Sequence, residues 1–66
     1  MANRLIWSGV GRNGYAEVRV SGGGDYELEM YDEDFILVGF ARHDALIDAT
    51  ADATDRLQAD VEAFAA

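Results

Sequence analysis

Apolar and polar side chains alternate through the first forty residues, and this period of two limits the possible folds more than any other feature of the chain. Four segments have strand character, at residues 3–10, 15–21, 25–31 and 35–41. The stretches GRNG, GGG and DED separate them and are typical of tight turns. Because successive side chains of a strand point to opposite faces, the pattern predicts four short strands joined as hairpins.

After Arg42 the apolar period changes to about 3.6, which predicts one helix over residues 43–65. Its apolar stripe comprises Leu46, Ala49 or Thr50, Ala53, Leu57, Val61 and Phe64. We therefore expect an α+β fold in a single domain of residues 1–66. The predicted architecture is a four-stranded antiparallel meander sheet (β-β-β-β-α) with one C-terminal helix packed on one face.

Hairpin pairing tests this interpretation, because a slip of one residue turns every side chain to the wrong face. Centring the GGG loop on Gly23 aligns Val20 with Tyr26, Val18 with Leu28 and Ala16 with Met30. The opposite face then pairs Arg19 with Glu27 favourably and Glu17 with Glu29 unfavourably. Centring the next turn on Glu33 adds Ile36, Val38 and Phe40 to the helix-covered surface. Leu5 and Trp7 join it if Asn13 and Gly14 form a type I′ turn.

One helix, about 10 Å wide, is too narrow to cover four strands spaced about 4.8 Å apart. The face away from the helix is also expected to be partly apolar, with Tyr15, Tyr31 and Phe35 in one row and Ile6, Val10 and Leu37 in others. The fourth strand, FILVGF, is apolar on both faces and would form an exposed edge. We predict a homodimer, formed by edge pairing or by packing of sheet faces, with Tyr15, Tyr31, Phe35 and Leu37 at the interface. Alternatively, the fourth strand lies inside the sheet with the first strand beside it.

The segment GVGRNG, residues 9–14, fits the spacing Gly-x-Gly-x-x-Gly of phosphate-binding loops. A dinucleotide site of this kind needs a helix to begin where the motif ends, so that the helix N-terminus faces the phosphates. Here the strand YAEVRV follows. The kinase type of glycine loop requires a lysine, which the chain lacks. The motif therefore favours a hairpin turn over a nucleotide site.

Other candidate sites are weak. His43 is the only histidine, and neither Ser8 nor Ser21 falls near it in the predicted register, so we expect no catalytic residues and no enzyme. The carboxylates of YDEDF lack the glycine and distal glutamate of a calcium loop. The chain has no cysteine. We expect no cofactor and no metal. Neither a signal peptide nor a membrane span is recognisable, which makes a cytoplasmic location the expectation.

Charge is the strongest functional indication. Thirteen acids oppose five arginines, and the net charge is −8. Such a surface repels nucleic acid and anionic membranes and favours a protein partner with a basic surface. On the helix, Asp44, Asp48, Asp52 and Asp55 are spaced by four, four and three residues and form one ridge. Together with Glu27 and Glu29 they are the predicted partner-binding residues.

In size and charge, the chain resembles the DNA-mimicking inhibitors of phages and mobile elements, including the anti-CRISPR class. That resemblance implies a small acidic non-catalytic binding protein whose carboxylates replace phosphates on a nucleic-acid-binding protein. The alternative is a small dimeric structural or assembly protein of a halophile, whose acidity is salt adaptation. The two hypotheses differ in whether the carboxylates contact a partner or only water and salt.

Overall fold

The computed structural model describes residues 4–12 and 14–57, and the backbone of residues 62–65. Over these residues the chain forms five strands and one helix. In chain order they are β1 (Arg4–Gly11), β2 (Gly14–Val20), β3 (Tyr26–Tyr31), β4 (Leu37–His43), α1 (Leu46–Leu57) and β5 (Glu62–Ala65). All of the strand pairings are antiparallel, and the strand order across the sheet is β4-β3-β2-β1-β5.

The predicted fold class is confirmed: β1 to β4 form an antiparallel meander, and α1 packs on one face of it. The core lies between α1 and the two central strands. Its buried side chains are Ala16, Val18, Leu28 and Met30 from the sheet, and Ala49, Ala53 and Leu57 from the helix. Because two of the three helix residues are alanine, the helix backbone can approach the sheet closely.

The β2–β3 register agrees with the prediction at every pair, including Val18 with Leu28 and Glu17 with Glu29. Here the alternation and the glycine loop specify the same alignment. Ser21 closes the loop, since its backbone N–H donates to the Asp25 carbonyl at 2.8 Å. Gly24 follows with a φ of 90°, a conformation that glycine adopts at little cost.

The predicted β3–β4 register is wrong by three residues. Met30 faces Gly39 and Leu28 faces Ala41, rather than Ile36 and Val38. Since three is odd, the side chains of β4 exchange faces. Gly39 and Ala41 lie on the helix side, while Ile36, Val38 and Phe40 are exposed.

A second correction concerns β1, whose pairing with β2 shifts between Leu5 and Trp7. Gly14 pairs with Gly11, so the predicted Asn13–Gly14 turn is wrong and the register moves by two residues. Because two is even, Trp7 keeps its predicted face: it lies opposite Val18 and packs against the core. Beyond the shift, Leu5 faces Arg19 on the side away from the helix, although it was expected under the helix. Ile6 instead packs against the core. A bulge adds one residue to one strand, and periodicity alone does not reveal it.

The third correction concerns the end of the chain. The predicted helix runs through residue 65, but α1 ends at Leu57 and Glu62–Ala65 pairs with β1. The alanine-rich sequence suits a helix, yet β1 would otherwise present an unpaired edge, which β5 covers. Val61 of the predicted stripe lies outside the described residues, and Phe64 belongs to β5.

Candidate protein-interaction surface

Exposed apolar side chains concentrate at one edge of the sheet. Of the eight large apolar residues classed as exposed in the described part of the chain, five lie on β4 or on the loop before it. We call this set the β4 strip; it comprises Phe35, Ile36, Leu37, Val38 and Phe40. Phe35 is 71% exposed and Val38 64%. The strip lies where β4 has β3 on one side and no described strand on the other.

The loop between β3 and β4 explains why these residues point outward. Oδ1 of Asp32 accepts hydrogen bonds from the backbone N–H groups of Asp34, at 2.8 Å, and Ile36, at 3.0 Å. The Asp32 N–H donates to the Ile36 carbonyl at 3.0 Å. Phe35 adopts a φ of 60°, which is uncommon for a residue with a side chain. Between Tyr31 and Met30 the pairing with β4 shifts by one further residue. As a result, the register of β4 differs from the predicted one by three residues.

The four predicted interface residues lie together beside this loop. The ring centroids of Tyr15 and Tyr31 are 5.9 Å apart, and those of Tyr15 and Phe35 are 5.8 Å apart. Leu37 pairs with Tyr31 in the sheet. Sequence reasoning missed Ile36, Val38 and Phe40, which it placed under the helix. The apolar character of FILVGF on both faces was the available indication that some of them stay exposed.

A polar network fills the centre of the sheet face away from α1. Nη2 of Arg19 donates to Oε1 of Glu17 at 2.7 Å, and its Nε lies 3.6 Å from Oε1 of Glu29. The Tyr15 hydroxyl donates to Glu17 at 2.8 Å, and the Tyr31 hydroxyl donates to Glu29 at 2.9 Å. Arg19 therefore bridges the two glutamates that face each other, which offsets part of the repulsion expected from the sequence.

These contacts alter the acidity of both phenols. Burial and the hydrogen bond to Glu29 raise the pKa of Tyr31 to about 12. Burial and the hydrogen bond to Glu17 likewise raise the pKa of Tyr15. Next to this network, Nη2 of Arg42 donates to Oε2 of Glu27 at 3.1 Å. Most carboxylates of this face are thus already paired within the chain.

The six predicted partner-binding carboxylates do not form one surface. Glu27 and Glu29 alternate with Leu28, which is buried against the helix, and so lie on the opposite face of the sheet. Asp48 and Asp55 are exposed on α1, and Asp44 is exposed just before it. Asp52 belongs to the same helix but has partners within the chain. The structure therefore brings together a helix set and separates the two glutamates from it.

Asp52 connects the helix to the sheet. Its Oδ2 lies 2.8 Å from Nε2 of His43, and its Oδ1 accepts a hydrogen bond from Nε of Arg56 at 2.8 Å. Burial acts to raise the pKa of the Asp52 carboxyl, but the hydrogen bonds from Arg56 and His43 outweigh it and hold the pKa below its ordinary value. The histidine is therefore engaged in a contact between β4 and α1.

Two of the three glycines of GVGRNG, Gly11 and Gly14, are explained by close packing of the backbone. A Cβ atom at Gly11 would lie 2.5 Å from the Leu57 carbonyl oxygen, because the end of α1 crosses β1 there. Gly14 has a φ of 134°, and a Cβ there would overlap the Tyr31 carbonyl oxygen. The segment after the motif is β2, as expected. A pocket of about 290 Å³ adjoins the motif, lined in part by Arg12, Tyr15 and Phe35.

The described residues lack two features that would indicate other functions. No group of three or more histidine, cysteine or acidic side chains there is placed to hold a metal ion. The one described helix, α1, is too short to cross a membrane.

The chain matches no protein-family model, no curated protein and no solved structure. Among the described residues, the β4 strip and the exposed helix aspartates are the surfaces from which a function can be argued.

Proposed function

We propose that this chain is a small non-catalytic binding protein that docks another protein chain through the β4 strip. The single observation that carries the proposal is the concentration of exposed apolar side chains on an edge strand. Contiguous apolar patches are uncommon on proteins that act alone and mark interaction sites. An edge strand also offers unpaired backbone N–H and C=O groups to an incoming strand.

The arrangement of charge supports the same surface. Residues 35–43 contain no carboxylate, although the chain as a whole carries thirteen. Phe40 lies opposite Glu29 and Arg42 opposite Glu27, and both glutamates are paired with arginines; the exposed carboxylates of Glu33 and Asp34 lie in the loop at the Phe35 end of the strip. Burying the strip would therefore remove apolar area from water without stranding an unpaired carboxylate of the strip itself.

The test replaces Phe35 and Phe40 with serine and uses Ile47→Ser as the control. Ile47 is 76% exposed, but it lies on α1, outside the strip. Affinity capture from cells of the source, with quantitative recovery of each partner, compares the variants with the unaltered chain. We expect recovery to fall at least about tenfold for the strip variant and to stay unchanged for Ile47→Ser. Equal recovery with all three proteins would show that the strip does not dock a foreign partner.

A second candidate follows from the helix carboxylates. We propose it as a narrower function: inhibition of a nucleic-acid-binding protein, whose basic surface the exposed aspartates would occupy in place of phosphates. Asp44, Asp48 and Asp55 support it because they are exposed at the start and along the outer side of α1. Glu27, Glu29 and Asp52 contribute less, since Arg42, Arg19 and Arg56 already neutralise them.

A pair of charge variants tests this candidate. Asp48→Asn with Asp55→Asn removes two negative charges from α1, while Glu33→Gln with Asp34→Asn removes two from the exposed β3–β4 loop. Loss of affinity for a basic partner only in the helix variant supports inhibition by mimicry. Equal small losses in both variants indicate a response to net charge alone.

The alternative of a dimeric structural or assembly protein with salt-adapted acidity stays open as a proposal. It is supported by the same edge strand and predicts a different response to salt, which is argued below. A cytoplasmic location also stays a prediction.

A further inference from the structure

We infer that the partner at the β4 strip is a second copy of this chain, and that the two β4 strands pair antiparallel with Phe40 on the two-fold axis. This inference rests on the proposed binding function and names its partner. The pairing would join the two sheets edge to edge. It is isologous: the same residues contribute from both sides.

Charge favours a copy of the chain at this edge. A molecule with a net charge of −8 repels its copies, so a self-interface must avoid its carboxylates. The segment 35–43 has none and carries Arg42 as its fixed charge. A cationic foreign partner would gain most from surfaces rich in acid, such as α1. The edge strand is thus better suited to a second acidic chain than to a basic one.

The sequence of β4 is self-complementary in this register. Pairing Phe40 with Phe40 of the second copy places Val38 across from Arg42 of that copy and Gly39 across from Ala41. The two Arg42 side chains do not meet, and each keeps its own partner, Glu27, at 3.1 Å. Phe40 and Arg42 both lie on the face away from the helix, so the two phenylalanine rings would be neighbours there.

The other way of forming a dimer, stacking the sheet faces away from α1, is less favourable. It would bury Glu17, Glu27 and Glu29 from each copy against only Arg19 and Arg42. Burial of excess carboxylate costs more than its pairing returns. Edge pairing leaves this network in contact with water and buries the strip instead.

The surface area that a stable dimer must bury limits how the two copies can pair. A stable interface buries about 800 Å² per partner, which is about a fifth of the 4188 Å² surface of the described chain. Backbone pairing of one seven-residue strand does not supply that area alone, so the side chains of the strip must also become buried. Substitutions in the strip are therefore expected to act on the monomer–dimer equilibrium.

The absence of cysteine allows a direct test. Opposed residues in antiparallel strands have Cα atoms about 4.5–5.5 Å apart, within the range that a disulfide bridges. Phe40→Cys, alone in the cysteine-free chain, is expected to form a disulfide-linked dimer under mild oxidation. Val10→Cys, exposed on β1, is the control and is expected to stay largely monomeric. Equal crosslinking of the two variants, or none at Phe40→Cys, overturns the register.

A second pair of variants tests the same register without cysteine. In the proposed register, the side chain at position 38 lies across from Arg42 of the second copy. Val38→Lys therefore places a like charge beside that arginine, whereas Val38→Glu places an opposite charge there. Both variants lose the apolar side chain equally. By sedimentation velocity we expect the dimer dissociation constant of Val38→Lys to exceed that of Val38→Glu by about tenfold or more, with circular dichroism confirming that both fold. Equal dissociation constants would contradict the register.

The oligomeric state of the unaltered chain in solution tests whether a second copy is the partner. A monomer at about 100 µM, with no crosslink at Phe40→Cys, would exclude the second copy as partner. That result would leave the proposed binding function intact if the strip variant still lost its captured partner. Failure of the capture experiment alone, with a dimer in solution, would instead limit the strip to self-association.

Discussion

Nε2 of His43 lies 2.8 Å from Oδ2 of Asp52, and this contact joins the last residue of β4 to the middle of α1. Arg56 holds the other carboxylate oxygen at 2.8 Å, so both oxygens of Asp52 have partners. The helix is thereby fixed next to the same strand that carries the exposed strip. Loss of this contact is expected to affect the stability of that edge before it affects the central core.

Asp52→Asn is expected to lower the free energy of unfolding by about 1 kcal/mol, because both charge-assisted hydrogen bonds weaken while partial exposure limits the effect. Asp55→Asn, which removes the same charge from an exposed site nearer the helix C-terminus, is expected to be neutral or slightly stabilising. Urea unfolding followed by circular dichroism measures both. A loss at Asp55 equal to that at Asp52 would show that net charge, not the contact, is responsible.

The Asp52 contact also predicts a dependence on pH. The carboxyl pKa is lower in the folded chain than the ordinary 3.8, so deprotonation favours the fold. The contribution is complete well above pH 3.8 and is lost as pH falls through the lowered pKa. The difference in unfolding free energy between the unaltered chain and Asp52→Asn should therefore shrink between about pH 6 and pH 2. A difference that stays constant over this range would contradict the assignment.

The raised pKa of Tyr31 predicts that stability is also lost as pH rises in the alkaline range. Its pKa rises from 10.0 to about 12 on folding, so the neutral phenol favours the fold. The contribution is fully present below pH 10 and is lost as pH rises through about 12. Ultraviolet titration of tyrosinate should show a late component that Tyr31→Phe reduces, since the pKa of Tyr15 is raised as well. A titration of the unaltered chain complete near pH 10 would contradict the burial of Tyr31 and its hydrogen bond to Glu29.

The parts of this fold that the sequence predicts are those where two independent patterns coincide. Between β2 and β3, the alternation of VRV with YELEMY and the symmetry of the GGG loop specify the same pairs. Between β3 and β4 the alternation is uninformative, because FILVGF is apolar at every position but Gly39. The register then depends on the two backbone N–H groups that donate hydrogen bonds to the Asp32 side chain. Which N–H groups do so is known only from the folded loop.

Some residues of the candidate site could likewise be predicted from the sequence, and others could not. The cluster of Tyr15, Tyr31 and Phe35 follows from the β2–β3 register and the nearby turn, and the structure places those rings in contact. Val38 and Phe40 depend on the β4 register and were assigned to the wrong face. The fifth strand could not be predicted, because four residues of EAFA are equally compatible with a helix and with an edge strand.

Gly14 and Gly24 form a natural pair for testing what a glycine provides, since both have positive φ values, 134° and 90°. At Gly24 a Cβ atom has nothing within 4 Å, so Gly24→Ala is expected to cost about 1 kcal/mol of backbone strain alone. At Gly14 a Cβ atom would overlap the backbone of Tyr31, and the strands must move apart. Gly14→Ala is expected to cost at least about 3 kcal/mol. Similar losses in thermal unfolding would show that only φ matters.

The dependence of the melting temperature on salt distinguishes a binding protein from a protein whose acidity is salt adaptation. With a net charge of −8, screening of self-repulsion stabilises the fold, but the screening length is already about 8 Å at 0.15 M and about 3 Å at 1 M. Ion pairs such as Arg19 with Glu17 weaken over the same range. For a binding protein we therefore expect the melting temperature to rise up to about 0.2 M potassium chloride and then level off. Asp48→Asn with Asp55→Asn should reduce the initial rise. A melting temperature that keeps rising into molar salt would favour the halophile alternative, because general screening is nearly complete by then and only specific ion hydration of the acidic surface remains to stabilise the fold.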